Sequence, residues 1–132
     1  MKINRFEHVN LTCKSLEATQ AFYQTLFPDW YMRAEGTTPE GRRWVHFGND
    51  QLYLALNDEP QAVRHQKLYE DVGINHIGLV IDNGEKLLFW LEAKGIEHYT
   101  MSSPETRYRI YVTDPDGNEI EFVEYEADYL LR

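Results

Sequence analysis

Cys13 is the only cysteine in the chain, so no internal disulfide can form, and the reading is a protein of a reducing cytoplasm. No apolar run approaches the roughly 20 residues that a membrane helix needs. The opening MKINRFEH has no apolar segment of the signal-peptide kind, so a cytoplasmic location is expected. Positive charge is scarce. Lys and Arg number 13 against 22 Asp and Glu, a net charge of -9, which argues against nucleic acid or an anionic membrane as partner. A glycine-rich phosphate loop, a cysteine pair and a nucleophile elbow are all missing. Any chemistry must therefore come from side chains on strands.

What is present points to one ordered domain. The 132 residues are 42% hydrophobic and 14% aromatic, enough for a core without staples. The chain also resembles itself. FEHVNLTC (6–13) and INHIGLVI (74–81) each place a histidine at the start of an alternating strand. His8, Asn10 and Thr12 share one face, opposite Val9, Leu11 and Cys13. In the second copy His76, Gly78 and Val80 lie opposite Ile77, Leu79 and Ile81.

A helix is expected after each strand. The first, about 15–27, is capped by Ser15 and carries Leu16, Ala18, Phe22, Tyr23 and Leu26 on one arc, with Pro28 stopping it. The second, about 84–94, is capped by Asp82 or Asn83, is striped by Leu87, Leu88 and Leu91, and ends at Gly95. Phe89 and Trp90 widen its apolar face beyond what a lone two-layer domain needs, and core packing is expected for the pair over a subunit contact. Three shorter strands follow each helix, near 30–34, 42–47 and 51–56, then near 97–101, 107–113 and 118–125. The organisation is α+β: repeat one at about 1–56, a polar linker at about 57–72, repeat two at about 73–126 and a C-terminal tail at 127–132.

The last strand follows Asp114-Pro115-Asp116-Gly117, a tight-turn sequence. Alternation then turns Glu119 and Glu121 to one face and Ile120 and Phe122 to the other. Glu119, nearer the turn, is expected at the solvent. If the repeats surround a common cavity, His8, His76 and Glu121 can all point into it. Two imidazoles and one carboxylate on one side of a divalent ion leave coordination positions free for a substrate.

The chain resembles the vicinal oxygen chelate superfamily of glyoxalase I, fosfomycin-resistance transferases, extradiol dioxygenases and bleomycin-resistance proteins. The resemblance rests on FEHVNLTCKSLEATQAFYQTLF, INHIGLVI and, most specifically, IYVTDPDGNEIEF. It implies paired βαβββ repeats curving into a half-barrel around a divalent metal. It also implies His8, His76 and Glu121 as ligands, and a homodimer with composite sites. Mn, Fe, Ni and Zn are all admissible ions. One departure stands out: glyoxalase I adds a carboxylate from the last strand of the first repeat, and here the matching position is Ala55 or Tyr53. QLYLALNDEP resembles the fosfomycin transferases in particular.

The remaining candidates follow from alternation. Tyr111 should share the inner face with Arg109, the phenol as catalytic acid or donor and the guanidinium as a holder of an anionic group. Asn10 and Tyr53 are further candidate substrate contacts. His46 is a weaker candidate, beside Trp44, while His65 and His98 are read as surface residues and Cys13 as an inert core residue. The functional expectation is a metal-dependent glyoxalase-type enzyme acting on a small oxygen-rich substrate. The alternative is a metal-free small-molecule binding protein of the bleomycin-resistance type.

Overall fold

A computed structural model describes residues 1–127, and the chain divides into two units, 1–64 and 65–132. Beyond its first residue, the tail expected at 127–132 lies outside the described residues. The first unit holds β1 (His8–Cys13), α1 (Leu16–Leu26), β2 (Tyr31–Thr37), β3 (Arg43–Gly48) and β4 (Tyr53–Asp58). The second holds β5 (His76–Val80), α2 (Gly84–Lys94), β6 (Tyr99–Met101), β7 (Thr106–Thr113) and β8 (Glu119–Tyr125). Each unit is a four-stranded mixed sheet of the same order, β1-β4-β3-β2 and β5-β8-β7-β6. In both, the first strand runs parallel to the last, which the intervening helix makes possible by carrying the chain back.

Local chemistry explains the boundaries. Ser15 caps α1 by accepting from the Ala18 N–H at 3.2 Å, and Asn83 caps α2 by accepting from the Lys86 N–H at 2.8 Å. Gly95 ends α2 in the left-handed region at φ 65°, which a side chain would strain. Before β8, Asp114 Oδ1 accepts the N–H groups of Asp116 and Asn118, each at 2.9 Å. Gly117, at φ 84°, completes that turn and sets the register of the strand that follows.

The helices pack on their own sheets, α1 against β3 and β4, α2 against β7 and β8. Tyr23, Phe47, Leu56 and Cys13 fill the first core; Leu91, Ile110, Val112, Ile120 and Phe122 fill the second. Two expectations about the helix faces need correction. On α1 it is Thr19, not Ala18, that is buried with Leu16, Tyr23 and Leu26. On α2 the buried residues are Gly84 and Leu91, two turns apart, with Leu87 and Leu88 half-buried. Phe89 is 75% exposed, not packed in the core, because two residues along a helix is a rotation of about 200° away from Leu91. Trp90 is half-buried, with the Lys94 ammonium 4.6 Å from its ring centre.

Leu91 and Phe89 should therefore differ sharply in their response to truncation. Leu91→Ala is expected to cost about 2–5 kcal/mol of stability through the cavity it leaves. Phe89→Ala is expected to change stability by no more than about 0.5 kcal/mol. Urea denaturation of both variants checks the contrast.

Candidate functional site

In the second unit, the parallel register sets His76 opposite Glu119 and Gly78 opposite Glu121. The carboxylate of Glu121 reaches across, and His76 Nε2 lies 2.9 Å from Glu121 Oε2. Its other oxygen, Oε1, accepts from the Tyr111 hydroxyl at 2.8 Å and from Arg109 Nη1 at 3.1 Å. Tyr111 stands directly opposite Glu121 in the antiparallel pair β7–β8, which is why the phenol meets it. Glycine at 78 leaves the flank of the carboxylate bare, since a Cβ there would stand 3.8 Å from Oε2.

A second carboxylate lies behind the first. Glu119 is buried, contrary to the expectation of solvent exposure. Its Oε2 accepts from the Tyr99 hydroxyl at 2.7 Å and its Oε1 from the Tyr69 hydroxyl. The strand end is enclosed by phenols from β6 and from the segment before β5, neither of which alternation in β8 can reveal. Tyr69 also sits 3.0 Å from His76 Nδ1.

These contacts assign the protons. A carboxylate only accepts, so the Tyr69 proton points to Glu119, and the Tyr69 oxygen is left to accept from Nδ1–H of His76. His76 Nε2 and Glu121 Oε2 lie 2.9 Å apart, near enough for a ring Nε2–H to donate to the carboxylate or for a bare Nε2 and the carboxylate to share a cation.

The first unit repeats this register with other side chains. His8 lies opposite Tyr53 and Asn10 opposite Ala55, so the counterpart of Glu121 is Ala55 and that of Glu119 is Tyr53. His46 faces Ala55 as Tyr111 faces Glu121. Tyr53 stacks on His8 at 4.9 Å and on His46 at 4.6 Å, and Trp44 continues the row beside His46 at 4.8 Å. A register shift between Met32 and Ala34 leaves Arg33 as the extra residue, and its guanidinium lies 4.6 Å over the Tyr53 ring. Asn10 accepts from the Asn57 amide at 2.6 Å.

Of the expected site residues, His76, Glu121, Tyr111 and Arg109 meet in the second unit, while His8, Asn10 and Tyr53 line one face of the first. Among the described residues, no three His, Cys, Asp or Glu side chains are grouped to hold a metal ion. His65 is exposed, but the side chain of His98 is only 18% exposed, with Nδ1 2.9 Å from the Ile96 carbonyl oxygen, so it is not a plain surface residue. Glu119, Tyr99 and Tyr69 were missed as site residues. Glu119 shares the face of Glu121 by simple alternation, and that was the available signal. Tyr69 gave none, because it lies in a polar segment and has left-handed backbone at φ 66°.

A pair of βαβββ units carrying histidines at the heads of their first strands defines a glyoxalase-type architecture. The chain belongs to the Glyoxalase/Bleomycin resistance protein/Dioxygenase superfamily, which it matches over residues 5–122. The solved structures agree on the fold. A glyoxalase family protein from Enterococcus faecalis superposes with a TM-score of 0.81 at 21% identity, covering 94% of this chain and 100% of that one. Lactoylglutathione lyase from Agrobacterium tumefaciens gives 0.69 at 24% identity over 94% and 96%. The fosfomycin resistance protein FosX from Listeria monocytogenes, complexed with Mn(II) and sulfate, gives 0.73 at 21% identity over 99% and 100%. Among the described residues no helix is long and apolar enough to cross a membrane.

Electrostatics keep the phenols protonated. Burial of its hydroxyl end, then the bond to Glu119, pushes Tyr69 up to about 12. The same two causes raise Tyr99 further, and burial followed by the bond to Glu121 raises Tyr111. His46 is held below its ordinary value by burial first and by the neighbouring His8 second. The folded protein thus binds the phenolic protons of Tyr69 and Tyr99 more tightly than the unfolded chain does. The resulting stabilisation is complete below the ordinary tyrosine value of 10.0 and fades as pH rises through about 12 for Tyr69. Urea midpoints measured across that alkaline range should fall more steeply for the wild type than for Tyr99→Phe. Parallel curves would show that the Tyr99–Glu119 bond contributes nothing to the pH dependence.

Proposed function

We propose that this chain is a metal-dependent enzyme of its superfamily, in which His8, His76 and Glu121 hold a divalent cation and a small oxygen-rich substrate joins them. The observation that carries the reading is the close approach of His76 Nε2 to Glu121 Oε2 in the second unit, 2.9 Å apart. An imidazole nitrogen and a carboxylate oxygen so close together could both bind one divalent ion. The bare backbone at Gly78 and the partners of each ring and carboxylate fit the outer support that metal ligands need.

When bound, the ion (Mn, Fe, Ni or Zn) would supply Lewis-acid stabilisation of negative charge developing on a substrate oxygen. The chain's own residues do the rest. Arg109 and Tyr111 hold Glu121 Oε1 and leave Oε2 as the single donor oxygen. The raised pKa of Tyr111 suits it to donate a hydrogen bond or a proton rather than to act as base. Asn10, Tyr53 and Arg109 are assigned to substrate contact. The position matching the additional carboxylate of glyoxalase I is Ala55 or Tyr53, and neither supplies a carboxylate, so ordinary glyoxalase activity fits less well. Chemistry needing three protein ligands, as in the fosfomycin transferases and extradiol dioxygenases, fits better. FosX supports the substrate class by analogy, since it is known in complex with Mn(II) and a dihydroxypropylphosphonic acid. The family habit of building sites from modules of two chains is carried over as a homodimer.

Metal analysis of protein purified without chelator tests this reading. The wild type should bind about one ion per chain, and His76→Ala, Glu121→Gln and His8→Ala should each weaken binding by more than about 100-fold, beyond the loss expected from an outer partner. Small-molecule binding that survives chelator and Glu121→Gln unchanged would instead establish the metal-free binding protein. Equimolar mixing of His8→Ala with His76→Ala protein should restore about a quarter of the binding lost if sites are shared between two chains, because about half of the dimers are then mixed and each mixed dimer has one intact site of two. No restoration would confine each site to one chain.

A further inference from the structure

We propose that Tyr69 is a positioning residue for His76: its hydroxyl, locked by donation to Glu119, receives Nδ1–H and so holds the ring with Nε2 aimed at Glu121 Oε2. The inference rests on the metal-site reading for its consequence, though not for its geometry.

Tyr69 is the one non-glycine residue with positive φ among the described residues, at 66°. Such backbone is unfavourable for a bulky aromatic residue and persists only where surrounding contacts impose it. Hydrocarbon burial does not impose it here, because Tyr69 is 57% exposed. Polar contacts do. The Tyr69 N–H donates to Asn75 Oδ1 at 2.7 Å, and the Lys67 N–H donates to Asp71 Oδ2 at 2.6 Å. Gln66 Nε2 donates to the Ile74 carbonyl at 3.0 Å, closing the segment on itself just before β5. The product of this folding is a hydroxyl placed between Glu119 and His76 Nδ1.

Glu119 does not need Tyr69 for every partner, since Tyr99 already occupies Oε2. His76 Nδ1 has no comparable substitute, because Glu119 Oε1 is 3.9 Å away, beyond hydrogen-bond reach. The two tyrosines therefore separate two roles. Both support Glu119, but Tyr69 alone touches the imidazole. Ligand histidines depend on the group that holds their other ring nitrogen, which fixes tautomer and ring orientation.

The test uses the full chain with ¹⁵N-labelled histidine, first free of metal and then titrated with Zn(II) or Mn(II). The wild type should show a protonated Nδ1 on His76 whose hydrogen exchanges slowly enough to be observed. Tyr69→Phe should lose that signal, and Tyr99→Phe should keep it. Metal affinity should fall about 10–100-fold in Tyr69→Phe and less than about threefold in Tyr99→Phe. Asn75→Ala, which frees the segment but keeps the phenol, should shift both readouts in the same direction as Tyr69→Phe, and it serves should that variant fail to fold. A wild-type ring signal retained in Tyr69→Phe, or equal losses in the two tyrosine variants, overturns the proposal. If the wild type takes up neither ion, the metal reading falls, and the ring signal alone decides the role of Tyr69.

Discussion

His76 Nε2 and Glu121 Oε2 meet at 2.9 Å, and each side chain is held to that approach by a partner at its far end. Glu121 is held at its far oxygen by a phenol and a guanidinium. His76 is held at its far nitrogen by Tyr69. Burying the carboxylates of Glu119 and Glu121 is costly unless each oxygen finds a donor, and here three of their four oxygens accept from tyrosine or arginine. The fourth is the oxygen turned to the imidazole. That contact between carboxylate and imidazole is the physical feature from which the functional reading grows.

The duplication shows how such a network is obtained without changing the fold. Both units have the same strand order and the same parallel register, so position by position the inner faces can be compared. Where the second unit has Glu119, Glu121 and Tyr111, the first has Tyr53, Ala55 and His46. One face carries charge and hydroxyl donors, and the other carries a row of rings with Arg33 above it. Backbone geometry is thus conserved within the chain while the chemistry of the two faces diverges.

Legibility in the sequence followed range. The repeat, the helix caps at Ser15 and Asn83, and the Asp114–Gly117 turn depend on neighbours within a few residues, and all are visible in local pattern. Face assignment by alternation was equally direct, placing Cys13, Ile120 and Phe122 inside. What failed depended on partners far along the chain. Glu119 looks like a strand end beside a turn, and only phenols 50 and 20 residues upstream make it buried. Phe89 fails for a simpler reason: a helix against one sheet covers a narrow arc, and two residues from Leu91 lies on the opposite side. Tyr69 sits in a segment whose polarity reads as linker, and its left-handed backbone has no glycine or asparagine to announce it.

The hold that Arg109 and Tyr111 keep on Glu121 also bears on how many positions a substrate could occupy. A carboxylate free at both oxygens can chelate an ion through two bonds, but one whose Oε1 is already shared between two donors offers only Oε2. In the proposed centre Glu121 would then count as one ligand and each histidine as one, leaving positions free on an ion of ordinary coordination number. A substrate bringing two neighbouring oxygens would match that remainder. The restraint that Arg109 and Tyr111 place on Oε1 thus favours the proposed reading in a specific way: it limits Glu121 to one bond and would leave the other positions to oxygen atoms from outside the chain.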